Sequence, residues 1–331
     1  MNFRFQAVLV TLLLSAAVPR CLLAQTSAAD AAWDQLSSKK GSGKSAAGAP
    51  APDWAAVARD ADDFSRNFPS DERAKGAKRI GLSAQIRMQD GSKNLSPEVI
   101  DAAENYIKDS GNNVRDRVDL RIDLDQSKIR HQAGLTDDQL RAAKTAHAHS
   151  LIREFPDQSE GYGLLLAIAK TEEAPGARSL ATELLKSSAP EKYKAGAQRV
   201  LDRLDLINAR LTVMGADPTF PSAKGKSVVI YSWRVADEGF LQIIRRHAKD
   251  DLVFIGVNVD TDIGAAKAVA GSLPGTHYFE GGTDGPLSRQ LCFLYAPSLY
   301  LVDDHGVLRE VNGTKNPEAL FASAAGKGGA K

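Results

Sequence analysis

The runs Gly225-Lys226-Ser227-Val228-Val229-Ile230-Tyr231-Ser232-Trp233 and Leu252-Val253-Phe254-Ile255-Gly256-Val257-Asn258-Val259-Asp260 decide the fold. Val228 to Tyr231 and Leu252 to Val259 are short, apolar and rich in β-branched residues, the pattern of strands buried on both faces. Between them, Asp237 stands where a helix cap is expected and Phe240, Leu241, Ile243 and Ile244 supply an apolar face. Arg245, Arg246 and His247 then bring the positive charge favoured at a helix C-terminus. Strand, helix and strand in this order predict a parallel pair with a right-handed crossover. Tyr300 to Val302 and Val307 to Val311, separated by Asp303-Asp304-His305-Gly306, predict a β-hairpin. Pattern alone therefore makes this third of the chain an α/β domain, taken here as residues 211–325.

Upstream, residues 54–210 read as helix after helix. Leu180, Leu184 and Leu185 form one apolar stripe, and Ala197, Val200, Leu201, Leu204 and Ile207 form another at helical spacing. Ser96-Pro97-Glu98, Thr136-Asp137-Asp138 and Ala189-Pro190-Glu191 mark helix starts, with proline or an acid in the first turn. Asn67-Phe68-Pro69-Ser70-Asp71 and Glu154-Phe155-Pro156-Asp157-Gln158 recur as helix–proline–helix junctions, in the manner of tetratricopeptide-like hairpins. Irregular helical hairpins are the architecture expected for this region.

Arg4 followed by the apolar stretch Ala7 to Val18, with Leu22-Leu23-Ala24 before Gln25, predicts a cleavable signal peptide over residues 1–24. Val18-Pro19-Arg20 does not resemble a lipobox, so Cys21 is not expected to carry lipid. The expectation is an exported protein, periplasmic or secreted, with no membrane anchor after cleavage. Gln25 to Asp53 is dominated by Ala, Ser, Gly and Lys and is expected to be a disordered linker, as is the tail 326–331. Gly41 to Ser45 has the wrong spacing for a phosphate loop. Once Cys21 leaves with the signal, Cys292 is the single thiol, and its neighbours Leu291, Phe293 and Leu294 favour a buried small hydrophobe.

Three segments of the α/β region resemble the TlpA-like exported thioredoxins. The strand ending in Trp233 resembles the one that leads into that family's W-x-x-x-C-x-x-C, and Val253 to Asp260 resembles its V-x-G-V-N-x-D run. Tyr295-Ala296-Pro297-Ser298-Leu299-Tyr300-Leu301-Val302-Asp303-Asp304-His305-Gly306-Val307-Leu308 is similar to its G-x-P-T-x-x-L-I-D-x-x-G-x-I segment. The resemblance covers the last third of the chain and implies a thioredoxin-like fold. It also implies a cis Pro297 facing the turn after Trp233, and a peptide groove lined by Trp233, Asp237, Tyr295, Ala296 and Pro297. The departure is in the chemistry: the two cysteine positions hold Asp237 and Phe240, neither of which exchanges a disulfide. Two readings follow. One is a redox-inactive protein that binds a protein or peptide in the envelope, with no cofactor and no catalytic residue. The other is a thiol–disulfide oxidoreductase or peroxidase-like enzyme of the redoxin type that uses Cys292 or a partner thiol.

Other signals are weaker. A net charge of +1 supplies no surplus of cations for a nucleic-acid partner. His147 and His149 point to different helix faces, and Asp119, Asp123 and Asp125 lack the glycine and closing glutamate of a calcium loop, so no metal site is expected. Asn312-Gly313-Thr314 matches a glycosylation acceptor.

Overall fold

The computed structural model describes residues 18–39, 52–92, 94–211, 225–248, 251–311 and 316–326. It divides between Gly161 and Tyr162 into two compact units.

The first unit is helical: α1 (Val18–Lys39), α2 (Trp54–Asn67), α3 (Ala74–Met88), α4 (Pro97–Lys108), α5 (Val114–Arg130) and α6 (Asp137–Glu154). The starts of α4 and α6 are where the caps predict them. Ser96 accepts from the Val99 N–H, and Thr136 with Gln139 forms a complete capping box. The two proline junctions end α2 and α6 at Asn67 and Glu154. One expectation fails here. The linker assigned to residues 25–53 is helical up to Lys39, because Ala29 and Leu36 are buried against Val57, Ala61, Phe64 and Ile80. Trp33 meets Phe64 edge-on at 5.5 Å and Asp30 pairs with Arg73 at 2.8 Å. Low mean apolarity hid three well-spaced anchors. Residues 40–51, with the glycine-lysine run, lie outside the described residues, as do residues 1–17 and 327–331 and the Asn312 to Thr314 acceptor.

The second unit begins with α7 (Glu160–Thr171), α8 (Ala174–Lys186) and α9 (Glu191–Asp205). After them come β1 (Val228–Trp233), α10 (Glu238–Arg246), β2 (Val253–Asn258), α11 (Ile263–Ala270), β3 (Thr276–Phe279) and α12 (Pro286–Gln290). The chain closes with β4 (Ser298–Val302), β5 (Leu308–Val311) and α13 (Pro317–Gly326). The five strands form one sheet in the order β3-β2-β1-β4-β5. β1 pairs in parallel with β2 and antiparallel with β4; β2 runs parallel to β3, and β4 and β5 are the predicted hairpin. This order, with helices on both faces, is the thioredoxin-like arrangement. β3, α11, α12 and α13 are elements that the sequence pattern did not resolve.

Every residue of β1 is buried, as the uniform apolar run predicts for a central strand. Val228, Ile230, Ile255, Val257, Tyr300 and Val302 face one layer, built from α12 and the chain after α9. Val229, Tyr231, Trp233, Phe254, Leu299 and Leu301 face the other, with Leu241 and Ile244 of α10 and Phe321 of α13.

The boundary placed at residue 210 also moves. α7 to α9 belong with the sheet. Arg199 of α9 donates to the carbonyls of Phe293 at 2.7 Å and Thr283 at 3.1 Å, and pairs with Asp284 at 2.9 Å. The chain then runs alongside β5, where Asn208 N–H donates to Leu308 O and Leu211 N–H to Gly306 O. These ties are polar and distant in sequence, so hydrophobic spacing does not display them.

Candidate functional site

The candidate site lies where β1 ends and α10 begins, beside the loop before β4. Ser232 in β1 joins the two. Its hydroxyl donates to Tyr295 O at 3.2 Å and accepts from the Ser298 N–H at 2.9 Å. The Ala296–Pro297 bond between those partners is cis, as the resemblance implied.

The turn itself is held from two sides. Val235 N–H donates to Asp260 Oδ2 at 2.8 Å, and Asn258 Nδ2 donates to the same oxygen at 2.8 Å and to Trp233 O at 3.3 Å. From the other side, Asp237 accepts from Arg234 N–H at 3.0 Å and from its guanidinium at 3.0 Å and 3.3 Å. The guanidinium Nη2 also donates to Ala296 O at 2.9 Å, so one side chain bridges the turn and the proline loop.

Asp237 stands immediately before α10, and its backbone carbonyl accepts from the Leu241 N–H at 3.0 Å. Its side chain does not cap the helix, a correction to the expected role. The carboxylate turns back to Arg234, because a guanidinium fork satisfies both its oxygens where a helix N–H satisfies one. Phe240 is half-buried and meets Tyr231 edge-on at 6.1 Å, so it faces the core rather than a groove.

Trp233 is likewise not a groove residue. It is fully buried and packs edge-on against His277 at 5.8 Å, with its indole Nε1 donating to no protein acceptor. The even residues of β1 face α12 and the odd ones face α10, which puts Trp233 in the α10 layer. Of the expected set, the structure brings Asp237, Tyr295, Ala296 and Pro297 to the two loops, all partly exposed. The residue missed by sequence reasoning is Arg234. Its signal was present, since Arg234 and Asp237 are a cation and an anion three apart within one turn.

Cys292 lies elsewhere, after α12, buried and in a left-handed backbone conformation at φ 52°. Burial pushes its thiol above the ordinary range, Asp202 adds to this, and Arg199 and Arg203 oppose it. A thiol raised in this way is less often the thiolate and so a weaker nucleophile than a free one.

The remaining candidates are structural ties in the helical unit. Asp123 pairs with Arg87 at 2.8 Å, Asp119 with Arg115 at 3.4 Å, and Asp125 with His147 at 2.8 Å. No group of three or more metal-ligating side chains occurs among the described residues. No helix among them is long and apolar enough to cross a membrane.

The sequence matches no family model and no curated protein. Solved structures do show likenesses. A thioredoxin-like protein from Bacteroides caccae is 12% identical, covering 70% of this chain and 95% of that one at a TM-score of 0.33. The N-terminal domain of PilB from N. meningitidis, in its reduced form, is 20% identical over 34% of this chain and 89% of that one, at 0.26. The thioredoxin domain of a thiol-disulfide oxidoreductase from Bacteroides vulgatus is 16% identical over 30% of this chain and 81% of that one, at 0.24. The strand order β3-β2-β1-β4-β5, with β1 parallel to β2 and antiparallel to β4, is what makes the sheet thioredoxin-like.

Proposed function

We propose that this is an exported thioredoxin-fold protein that binds an extended protein or peptide segment and carries out no thiol chemistry. The observation that carries the reading is the Arg234–Asp237 ion pair. It occupies the turn that holds thiols in the family the sequence resembles, and it links that turn to Ala296 beside Pro297. Thiol–disulfide exchange requires an attacking thiolate and a second sulfur within bonding reach. A carboxylate and a core-facing aromatic ring supply neither. What the two loops offer is geometry: they are pinned together by Ser232, with Ala296 and Pro297 partly exposed just before a strand. Backbone groups at such a strand end support pairing with an extended chain, in which main-chain hydrogen bonds give affinity. Export is read from residues 1–24.

Two measurements test this. Insulin reduction by dithiothreitol should proceed at the rate of the blank. Titration with reduced, carboxymethylated α-lactalbumin, which stays unfolded, should protect the amides around residues 295–298 from hydrogen exchange. Turnover above the blank, or binding without protection there, overturns the proposal.

A further inference from the structure

Ala296 O is an acceptor just outside the ladder. The pairing of β4 with β1 ends at Ser298 opposite Ser232, so the carbonyl before Pro297 lies beyond the last ladder pair. Arg234 Nη2 takes it at 2.9 Å. The same guanidinium is braced by Asp237, which is only 10% exposed, while Arg234 itself is 47% exposed. A mostly shielded carboxylate thus holds a half-exposed cation over the carbonyl.

We infer that Arg234 is an internal competitor for the peptide groove, an inference that rests on the peptide-binding reading above. An extended chain pairing with the segment that precedes β4 would place a backbone N–H on Ala296 O, the atom that the guanidinium already engages. The incumbent bond is charge-assisted and the replacement is neutral, so the exchange costs affinity for every incoming chain. Nothing covalent is involved, and the competitor leaves by side-chain rotation alone. Asp237 sets how firmly it stays, through three hydrogen bonds to the Arg234 backbone and side chain. In the resembled family the position of Asp237 is a cysteine, which cannot brace an arginine in this way.

The test uses the whole chain and fluorescently labelled, reduced and carboxymethylated α-lactalbumin, with affinity read by anisotropy and location by hydrogen exchange. Arg234→Ala should tighten binding about tenfold, equivalent to about 1.4 kcal/mol, with protection still centred on residues 295–298. Asp237→Asn, which loosens the brace and keeps the arginine, should tighten it by a smaller factor. Unchanged or weaker binding by Arg234→Ala, with the wild type still protected at 295–298, overturns the competitor and leaves the groove reading standing. Binding by neither protein, with Arg234→Ala still melting cooperatively, overturns both. Should Arg234→Ala fail to fold, Arg234→Lys carries the test: a single ammonium cannot engage Asp237 and Ala296 as a fork does, and absence of any gain overturns the inference.

Discussion

Asp237 and Phe240 occupy the position before α10 and its third residue, the pair that faces itself across a first helical turn. The double change Asp237→Cys and Phe240→Cys should therefore place two sulfurs within disulfide reach and create dithiothreitol-dependent insulin reduction that the wild type lacks. The cost is the Phe240 contact with Tyr231, about 2 kcal/mol for a half-buried aromatic ring, read from urea denaturation. A folded double variant that neither loses its new thiols on oxidation nor reduces insulin would show that the register is wrong. Cys292 should behave in the opposite way. Burial raises its thiol, so Ellman's reagent should label it slowly at pH 8 in the native protein and at once in guanidinium chloride. Equal rates in the two conditions would exclude the buried setting.

At the scale of elements, two glycines have opposite predicted effects. A Cβ on Gly256, in the middle of β2, would lie 2.4 Å from His277 Nδ1 and 3.1 Å from Trp233 Nε1. Gly256→Ala should cost roughly 1–3 kcal/mol, because two packed rings must move to admit one methyl. Gly239 in the first turn of α10 has nothing within 4 Å of its Cβ position. Gly239→Ala should stabilise by about 0.5–1 kcal/mol through helix propensity and a less free unfolded chain. Urea midpoints that move in the same direction for both would contradict the packing of β2 against the His277 ring. In the helical unit, Thr136→Ala removes half of a capping box and should cost about 1 kcal/mol, seen as a lower midpoint for that unit.

At the scale of the whole molecule, the sheet's unit starts at α7, so a fragment of residues 156–331 should melt cooperatively and one of residues 211–331 should not. The shorter piece loses the Arg199 bonds to Thr283 and Phe293 and uncovers apolar surface. Alkali should also destabilise that unit. Cys292, Tyr231 and Tyr300 are all raised chiefly by burial, so the unfolded chain releases its protons first. Stability is then full below the unfolded values, about 8.5 for a thiol and 10 for a phenol, and falls as pH rises past them. A thermal midpoint that does not fall between about pH 8.5 and 11 would contradict this burial. In acid the helical unit should respond through Glu104, which the Arg121 guanidinium, opposed by burial and aided by Lys128, lowers to about 2. That contribution is present above the ordinary glutamate value and is lost as pH falls toward about 2. The central strands, the hairpin and two capped helix starts were determined by the sequence itself, because burial on two faces, turn chemistry and capping are local signals. Tertiary structure alone decided that residues 25–39 pack as a helix and that α7 to α9 belong to the sheet. It alone decided, too, that Trp233 is core and that Arg234 spans the two loops. Each of these depends on which partner, far away in the chain, satisfies a buried ring or a charged group, and a local pattern carries no record of that partner.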